Sequence, residues 1–418
     1  MNLTSLKLKK NRREFLFALD IGSKKLTLAA APLDVLAGLG PIFVEAAPSR
    51  GIFKGVVNDL AALSNAVGKL LKKMETRCET KITHAGVSIN GNYIQARHSI
   101  AAQALAERGM RSITRRDIEN LNRQAKNLGL ELDEILLHEY PQGYSIDRHN
   151  VTVNPAGLHG RRFEADLLLV CAPSGYCENI TKAVEQTGVD VTDLAYSGMA
   201  AAEAVLTADE KQRGVVFVDI GDALTGVLVF KEGVVRRVNV LAFGGRNIGE
   251  IIANYCKIPL ELADDIKMTA VEIGREISEA QEVMIKTEQD YRPFKKRELT
   301  ALILPEIDRF IAMLKSVVFD NSAFIANGMP MVVTGGLSLL EGFLEKMERE
   351  LGLSVKLGTT RSIADVPSTK TPAFAAAIGL LFLQRNARLQ SVLLFQGEGK
   401  NKVEKALDYI THLYQDYF

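Results

Sequence analysis

Two segments of the chain share one pattern of apolar and polar positions. Residues 17–31, FALDIGSKKLTLAAA, and residues 216–230, VFVDIGDALTGVLVF, each place a short apolar run before Asp-Ile-Gly, a polar turn and a second apolar run. The pattern predicts two strands joined by a tight turn, with the first turn at Asp20–Lys24. Its return about 200 residues later predicts an internal duplication.

Between the copies, residues 60–76 carry apolar positions at helical spacing, and 82–96 alternate as a strand does. Asn90-Gly91 within that run predicts a hairpin. Thr114 with Asp117 three residues on predicts a capped helix over 112–130. Strands around NPAGLHG are expected over 135–170, a helix over 177–187, and a strand leading into a helix over 188–211. After the second hairpin comes the loop FGGRN and a stretch read as helical from 247 to 327. The strand MPMVVTGG, a helix over 338–352, the short strand SVKLG and a helix over 372–386 follow. Residues 386–401 are polar, with the linker proper placed at 391–401, and 402–418 form a separate unit.

Length changes the picture first: 418 residues exceed one ordinary core, so two or more packed units are expected. Lysine plus arginine number 51 against 50 acidic residues, which excludes global steering to nucleic acid. Cys78, Cys171, Cys177 and Cys256 form no Cys-x-x-Cys pair and lie at no metal-ligand spacing, so structural thiols in a reducing compartment are expected. The longest apolar run, 373–383, is far short of the ~20 residues of a spanning helix, and no signal-peptide core is expected.

Candidate chemistry lies at the turns. Glycine after aspartate lets backbone N–H groups approach a phosphate, while the aspartate suits a hydrated Mg²⁺ rather than phosphate itself. Asp20 and Asp219 offer this from opposite halves, Ser23 adds a hydroxyl and Lys25 a positive charge. A third piece, MVVTGGLSLLEGF at 331–343, ends a buried strand in Gly335-Gly336, where backbone can approach an adenine or ribose closely.

These three pieces, in this order, resemble the actin-like ATPase superfamily, and within it the bacterial FtsA cell-division family. LDIGSKK is similar to the family's first phosphate motif, VDIGDALT to its second, TGGLSLLEGF to its adenosine motif, and ADDIK at 263–267 to the segment near the base. The insert segments GVSINGNYIQA, ITRRDIENL and YSIDRHNVTVNPAGLHGRRFEAD resemble the family's 1C subdomain. The resemblance implies a two-domain actin-like (ribonuclease H-like) α/β fold. Domain 1 would take 14–87, 170–212 and 372–390, the 1C insert 88–169, domain 2 213–245 and 328–371, and subdomain 2B 246–327. It also implies ATP and Mg²⁺ as ligands, held by Asp20, Gly22, Ser23, Lys25, Asp219, Gly221, Thr225, Gly244, Gly245, Asp264, Lys267, Gly335, Gly336 and Leu337, with Asp20 and Asp219 reaching the metal through water. Filament formation with its own copies, docking of the FtsZ tail and attachment to the inner face of the cell membrane at the division site are the implied roles. Alternatives are a pilus-assembly actin homologue and a small-molecule kinase of the same superfamily; for the kinase, no catalytic base stands out.

Three residues depart from the family pattern. Asp222, Ala223 and Leu224 stand where Gly-Gly-Thr is usual. A carboxylate 4 Å from a phosphate oxygen repels it by ~4 kcal/mol at an effective dielectric of 20, unless a cation intervenes. Thr225 carries a hydroxyl but should face the other side of the strand. Weakened ATP binding with slow or absent hydrolysis is therefore expected. At the partner surface Glu306 stands where the family has arginine, with Arg292, Lys295, Lys296 and Arg297 as the nearby positive charge.

In KVEKALDYITHLYQDYF, Val403, Leu407, Ile410, Tyr414 and Tyr417 fall on one helical stripe, with Leu413 and Phe418 beside it. A terminal amphipathic helix behind a polar linker is expected to lie on an anionic membrane surface, with docking to a partner as the alternative. Its mixed charge predicts modest affinity for one copy, raised by multivalency in a filament.

Overall fold

The computed structural model describes residues 14–34, 38–105, 109–274, 278–286, 290–320, 328–360 and 366–395. The chain opens with β1 (Glu14–Ile21), β2 (Lys25–Asp34), β3 (Gly38–Leu39), β4 (Phe43–Pro48), β5 (Ile52–Phe53), β6 (Val56–Val57), α1 (Leu60–Cys78) and β7 (His84–Ile89). β1 and β2 are antiparallel, with Asp20 opposite Thr27, and β7 runs parallel to β1 on its other side. Leu63, Val67, Leu70, Leu71 and Met74 of α1 lie buried against this sheet.

The chain then leaves the sheet. β8 (Gln95–Ala104), β9 (Arg111–Ser112), α2 (Arg115–Gly129), β10 (Glu134–Ile146), β11 (His149–Thr152), β12 (His159–Gly160) and β13 (Arg162–Pro173) form an insert with its own core around Leu121, Phe163 and Leu169. Its main sheet has the order β11-β10-β13-β8. The capping box at α2 is present: Thr114 N–H donates to Asp117 Oδ2 at 2.9 Å, and Asp117 N–H returns to Thr114 Oγ1 at 3.3 Å. The hairpin expected at Asn90-Gly91 is not formed, because β7 pairs in parallel with β1 and with the strand at Asp190–Tyr196, while β8 pairs with β13. That turn is instead the exit into the insert, with the Tyr93 ring packed over Gly91 and its hydroxyl donating to the Gly55 carbonyl at 3.0 Å.

α3 (Ser174–Glu185), β14 (Asp190–Tyr196), α4 (Ser197–Val205) and α5 (Ala208–Arg213) return to the first sheet. Then the plan repeats. β15 (Val215–Ile220) and β16 (Thr225–Lys231) are antiparallel, with Asp219 opposite Gly226, and β17 (Val234–Leu241) extends them. Later in the chain, β20 (Met331–Thr334) runs parallel to β15 and β21 (Val355–Leu357) parallel to β20.

α6 (Gly245–Cys256), α7 (Leu260–Ala270), β18 (Glu282–Lys286), β19 (Tyr291–Lys295) and α8 (Lys296–Phe319) lie between β17 and β20. The helical reading of 247–327 is thus corrected: Val283, Ile285 and Phe294 alternate inward on a two-stranded ribbon, a period that helix spacing cannot supply. After β20, a 3₁₀ turn over Gly336–Leu339 precedes α9 (Phe343–Leu351). The single helix expected over 338–352 is broken because Gly342 has φ +75°. α10 (Ala375–Phe395) closes the described chain, so the linker placed at 391 begins inside a helix. Val403, Leu407, Ile410, Leu413, Tyr414, Tyr417 and Phe418 lie outside the described residues.

Candidate functional site

Duplication brings the two hairpin turns face to face. A cleft of about 380 Å³ lies between them, and it is lined by Asp20, Gly22, Ser23, Lys25, Asp219, Gly221, Gly245, Asp264, Lys267, Gly335, Gly336 and Leu337 among the residues singled out from sequence. Both turns close alike: Gly22 N–H donates to the Lys25 carbonyl at 3.2 Å, and Gly221 N–H to the Leu224 carbonyl at 2.9 Å. At Gly335, φ is +91° and an added Cβ would lie 2.3 Å from the Ile220 carbonyl oxygen, so β20 meets the second hairpin only with glycine there.

Two of the expected residues stand elsewhere. Thr225 is fully buried and donates its hydroxyl to the Phe243 carbonyl at 2.9 Å, on the far side of the strand. Gly244 caps α6, and an added Cβ would lie 2.4 Å from the Asp222 carbonyl oxygen, a packing role rather than a cleft position.

The floor of the cleft is acidic and part-buried. Burial pushes the Asp219 carboxyl up to about 7, and the Asp20 carboxylate pushes in the same direction. Asp20 also stands above the ordinary range through burial, although Ser88 Oγ donates to it at 2.7 Å and Ser197 Oγ at 3.1 Å. Burial draws Lys25 down to about 8, and its ammonium donates to the Ala373 carbonyl at 2.6 Å over the Phe374 ring. Two facing carboxyls whose ionised forms burial disfavours are a donor set that a divalent cation would stabilise in the charged form, so they fit a hydrated Mg²⁺. No group of three or more His, Cys, Asp or Glu that could hold a metal occurs among the described residues, so waters and phosphate oxygens would have to complete the shell. The buried amide oxygen of Asn90, also lining the cleft, has no hydrogen-bond partner.

Asp222 does not face the cleft as an uncompensated charge. Arg246 Nε donates to its Oδ2 at 3.0 Å, and Arg246 N–H donates to its carbonyl at 2.7 Å. The condition under which the expected repulsion lapses, an intervening cation, is met from α6. Leu224 and Ala223 are buried at the cleft wall.

Farther along, Asp264 receives two lysines. Lys267 Nζ donates to Oδ1 and Lys24 Nζ to Oδ2, each at 2.6 Å. Burial pushes the Asp264 carboxyl up, but the two ammonium groups outweigh it and hold the carboxyl below its ordinary range. Lys24, Ser88, Asn90 and Ser197 were missed from sequence. Lys24 adjoins Lys25 and could have been found as its neighbour; the others come from β7 and α4, whose approach depends on parallel pairing that no local pattern announces.

The basic residues expected at a partner surface lie apart from the cleft lining, on β19 and the first turn of α8. Lys296 pairs with Glu272 at 3.4 Å and Arg297 with Glu279 at 2.7 Å, while Arg292 and Lys295 are exposed. Glu306 is held by Arg309, whose Nε donates to it at 2.9 Å, so its negative charge is offset in place.

Duplicated hairpins with parallel third strands, a cleft between them and a glycine approach from the second half define an actin-like α/β fold carrying an inserted subdomain. Residues 216–379 match the model of the family "Cell division protein FtsA", and residues 91–171 match that of the "SHS2 domain inserted in FTSA". The chain belongs to the FtsA family of cell-division proteins. FtsA of Buchnera aphidicola is 27% identical over 388 residues, covering 89% of this chain and 91% of the relative. FtsA of Escherichia coli K12 is 26% identical over 409 residues, covering 95% of each. Among solved structures, a PilM–PilN type IV pilus biogenesis complex aligns with TM-score 0.62 at 16% identity, covering 89% of this chain and 98% of that one. MreB5 of Spiroplasma citri bound to ADP aligns with TM-score 0.51 at 11% identity, covering 91% and 99%. No helix among the described residues is long and apolar enough to cross a membrane.

Proposed function

We propose that this chain is an FtsA-like actin homologue that polymerises at the inner face of the cell membrane and tethers the FtsZ division ring to it, using ATP and Mg²⁺ as ligands. The observation that carries the nucleotide part is the cleft itself, where two hairpin turns and the Gly335-Gly336 approach converge on a buried carboxylate pair. Bound Mg²⁺ would supply charge neutralisation for the phosphates. Asp20 and Asp219 hold its waters, the turn glycines give backbone room, and Gly335 to Leu337 admit the nucleoside.

Weakened binding has a different origin from the one Asp222 suggested. Lys24 and Lys267 already occupy both oxygens of Asp264, so a base or ribose reaching that carboxylate must displace an ion pair. Slow or absent hydrolysis belongs to this reading: Asp222 and Asp264 are ion-paired and Asp20 accepts two hydroxyls, which leaves Asp219 as the one cleft carboxylate of the four without such a partner among the described residues.

Membrane attachment through 402–418, the stripe of Val403, Leu407, Ile410, Leu413, Tyr414, Tyr417 and Phe418, belongs to this reading, as does docking of the FtsZ tail near Arg292 and Lys295. The division into domain 1, insert, domain 2 and 2B follows the boundaries given above. Calorimetry with Mg²⁺–ATP and co-sedimentation with vesicles containing anionic lipid test the two halves separately. Binding of ATP and loss of co-sedimentation on deleting 402–418 are expected. Silence in the calorimeter removes the nucleotide half, and full retention on vesicles removes the anchor.

A further inference from the structure

The short hairpin β5–β6 turns through Lys54 and Gly55, both with positive φ, +52° and +81°. Such a two-residue turn favours Asn, Asp or Gly at its first position, where a lysine side chain is strained. The turn is firmly seated. Lys54 N–H donates to Ser23 Oγ at 2.9 Å, and an added Cβ on Gly55 would lie 1.9 Å from the Asn90 carbonyl oxygen. A lysine is therefore fixed beside the first phosphate hairpin, in a conformation that lysine does not favour.

Opposite it stands Arg246. Its Nε is held by Asp222, and its guanidinium carbon lies 5.0 Å from the centroid of Phe53, the residue before Lys54. The Lys54 ammonium lies 5.5 Å from the same centroid. Two cations from the two sides of the cleft thus meet on one ring, and both adjoin cleft-lining glycines, Gly55 and Gly245. Among the described residues Lys54 Nζ makes no ion pair and rests on that ring, while Arg246 is paired with Asp222 through Nε at 3.0 Å and has Glu250 3.9 Å from one terminal nitrogen. Asp222 fixes Arg246 by its inner nitrogen, and among the described residues the terminal nitrogens, the part of the guanidinium suited to phosphate oxygens, make no hydrogen bond.

We propose that Lys54 and Arg246 form a clamp for the terminal phosphate of a nucleoside triphosphate, closing the two halves on it and favouring triphosphate over diphosphate. This rests on the reading of the cleft as a nucleotide site. The substitution of Asp222 for the family's glycine then acquires a role as the anchor of Arg246.

The test is calorimetry on the full chain with Mg²⁺–ATP and Mg²⁺–ADP, for wild type, Arg246→Gln, Lys54→Gln and Arg246→Lys, with thermal melts to verify folding. Each glutamine variant should weaken ATP about tenfold while changing ADP less than about threefold, so that the ratio of the two affinities collapses. Arg246→Lys should fall between wild type and Arg246→Gln, since it keeps the charge and loses the fork. An equal loss for ATP and ADP, or no loss for either, overturns the clamp while leaving the nucleotide site intact. Wild type that binds neither nucleotide overturns the site and the clamp with it.

Discussion

Lys24 Nζ lies 2.6 Å from Asp264 Oδ2, joining the first hairpin turn to α7 across 240 residues of sequence. The pair bridges the two halves of the molecule at the lining of the cleft. Its members differ in burial: Lys24 is about half exposed, whereas Asp264 and its other partner Lys267 are buried.

That asymmetry separates two substitutions. Lys24→Ala should cost less than ~1 kcal/mol, because its side chain is half in water, and should raise nucleotide affinity by freeing one Asp264 oxygen. Asp264→Asn leaves the Lys267 ammonium buried without its carboxylate and should cost about 3 kcal/mol. Urea denaturation of both variants checks the order; equal losses would contradict it.

At the second hairpin, Asp222→Gly restores the residue usual in the family but removes the carboxylate that fixes Arg246. Stability should fall by about 1–3 kcal/mol as a charged hydrogen bond is lost, and ADP affinity should not rise. A gain in affinity, measured by calorimetry, would show that Asp222 repels phosphate despite its counter-ion.

His138, on β10 of the insert, accepts from the Tyr196 N–H through Nε2 at 2.9 Å, and burial draws its imidazole down to about 4 from an ordinary 6.5. A depressed folded-state value means that the neutral ring contributes fully above pH 6.5 and that this contribution is lost as pH falls toward 4. Between pH 7 and pH 5 the loss should be about 2 kcal/mol. Asp219, raised to about 7, has the opposite slope over that range, so the measurement is the difference between wild type and His138→Asn. Parallel stability curves for the two proteins would refute the assignment.

Neighbouring glycines provide a contrast. Gly335→Ala forces a side chain into φ +91° against the Ile220 carbonyl and should cost at least ~2 kcal/mol. At Gly336 nothing lies within 4 Å of the added Cβ, so Gly336→Ala should leave the melting temperature nearly unchanged. Similar melting shifts for both would mean that the close approach at Gly335 is not what fixes β20.

The hairpins, the capped helix α2 and the glycine-glycine strand end were legible because each writes its geometry into adjacent residues. Asp20 and Asp219 could be paired from sequence since the duplication places equivalent turns in equivalent positions. The role of Asn90-Gly91 was not legible, because a turn dipeptide does not reveal whether the following strand pairs with the preceding one or with β13, far along the chain. Nor was the ion pair of Asp222, whose partner Arg246 lies across the loop preceding α6. Position 222 was read by comparison with glycine alone, whereas its energetics belong to two residues.

One contact bears on mechanics. Gly379 of α10 sits where a Cβ would lie 1.6 Å from the Ala200 carbonyl oxygen, so the backbones of α10 and α4 touch. α4 begins at Ser197, whose hydroxyl holds Asp20. The helix from which residues 396–418 depart is therefore braced against the one that supports the acidic floor. A displacement of α10 would reach α4 at Gly379 and Asp20 through the Ser197 hydroxyl, so the last described helix and the acidic floor of the cleft are two contacts apart.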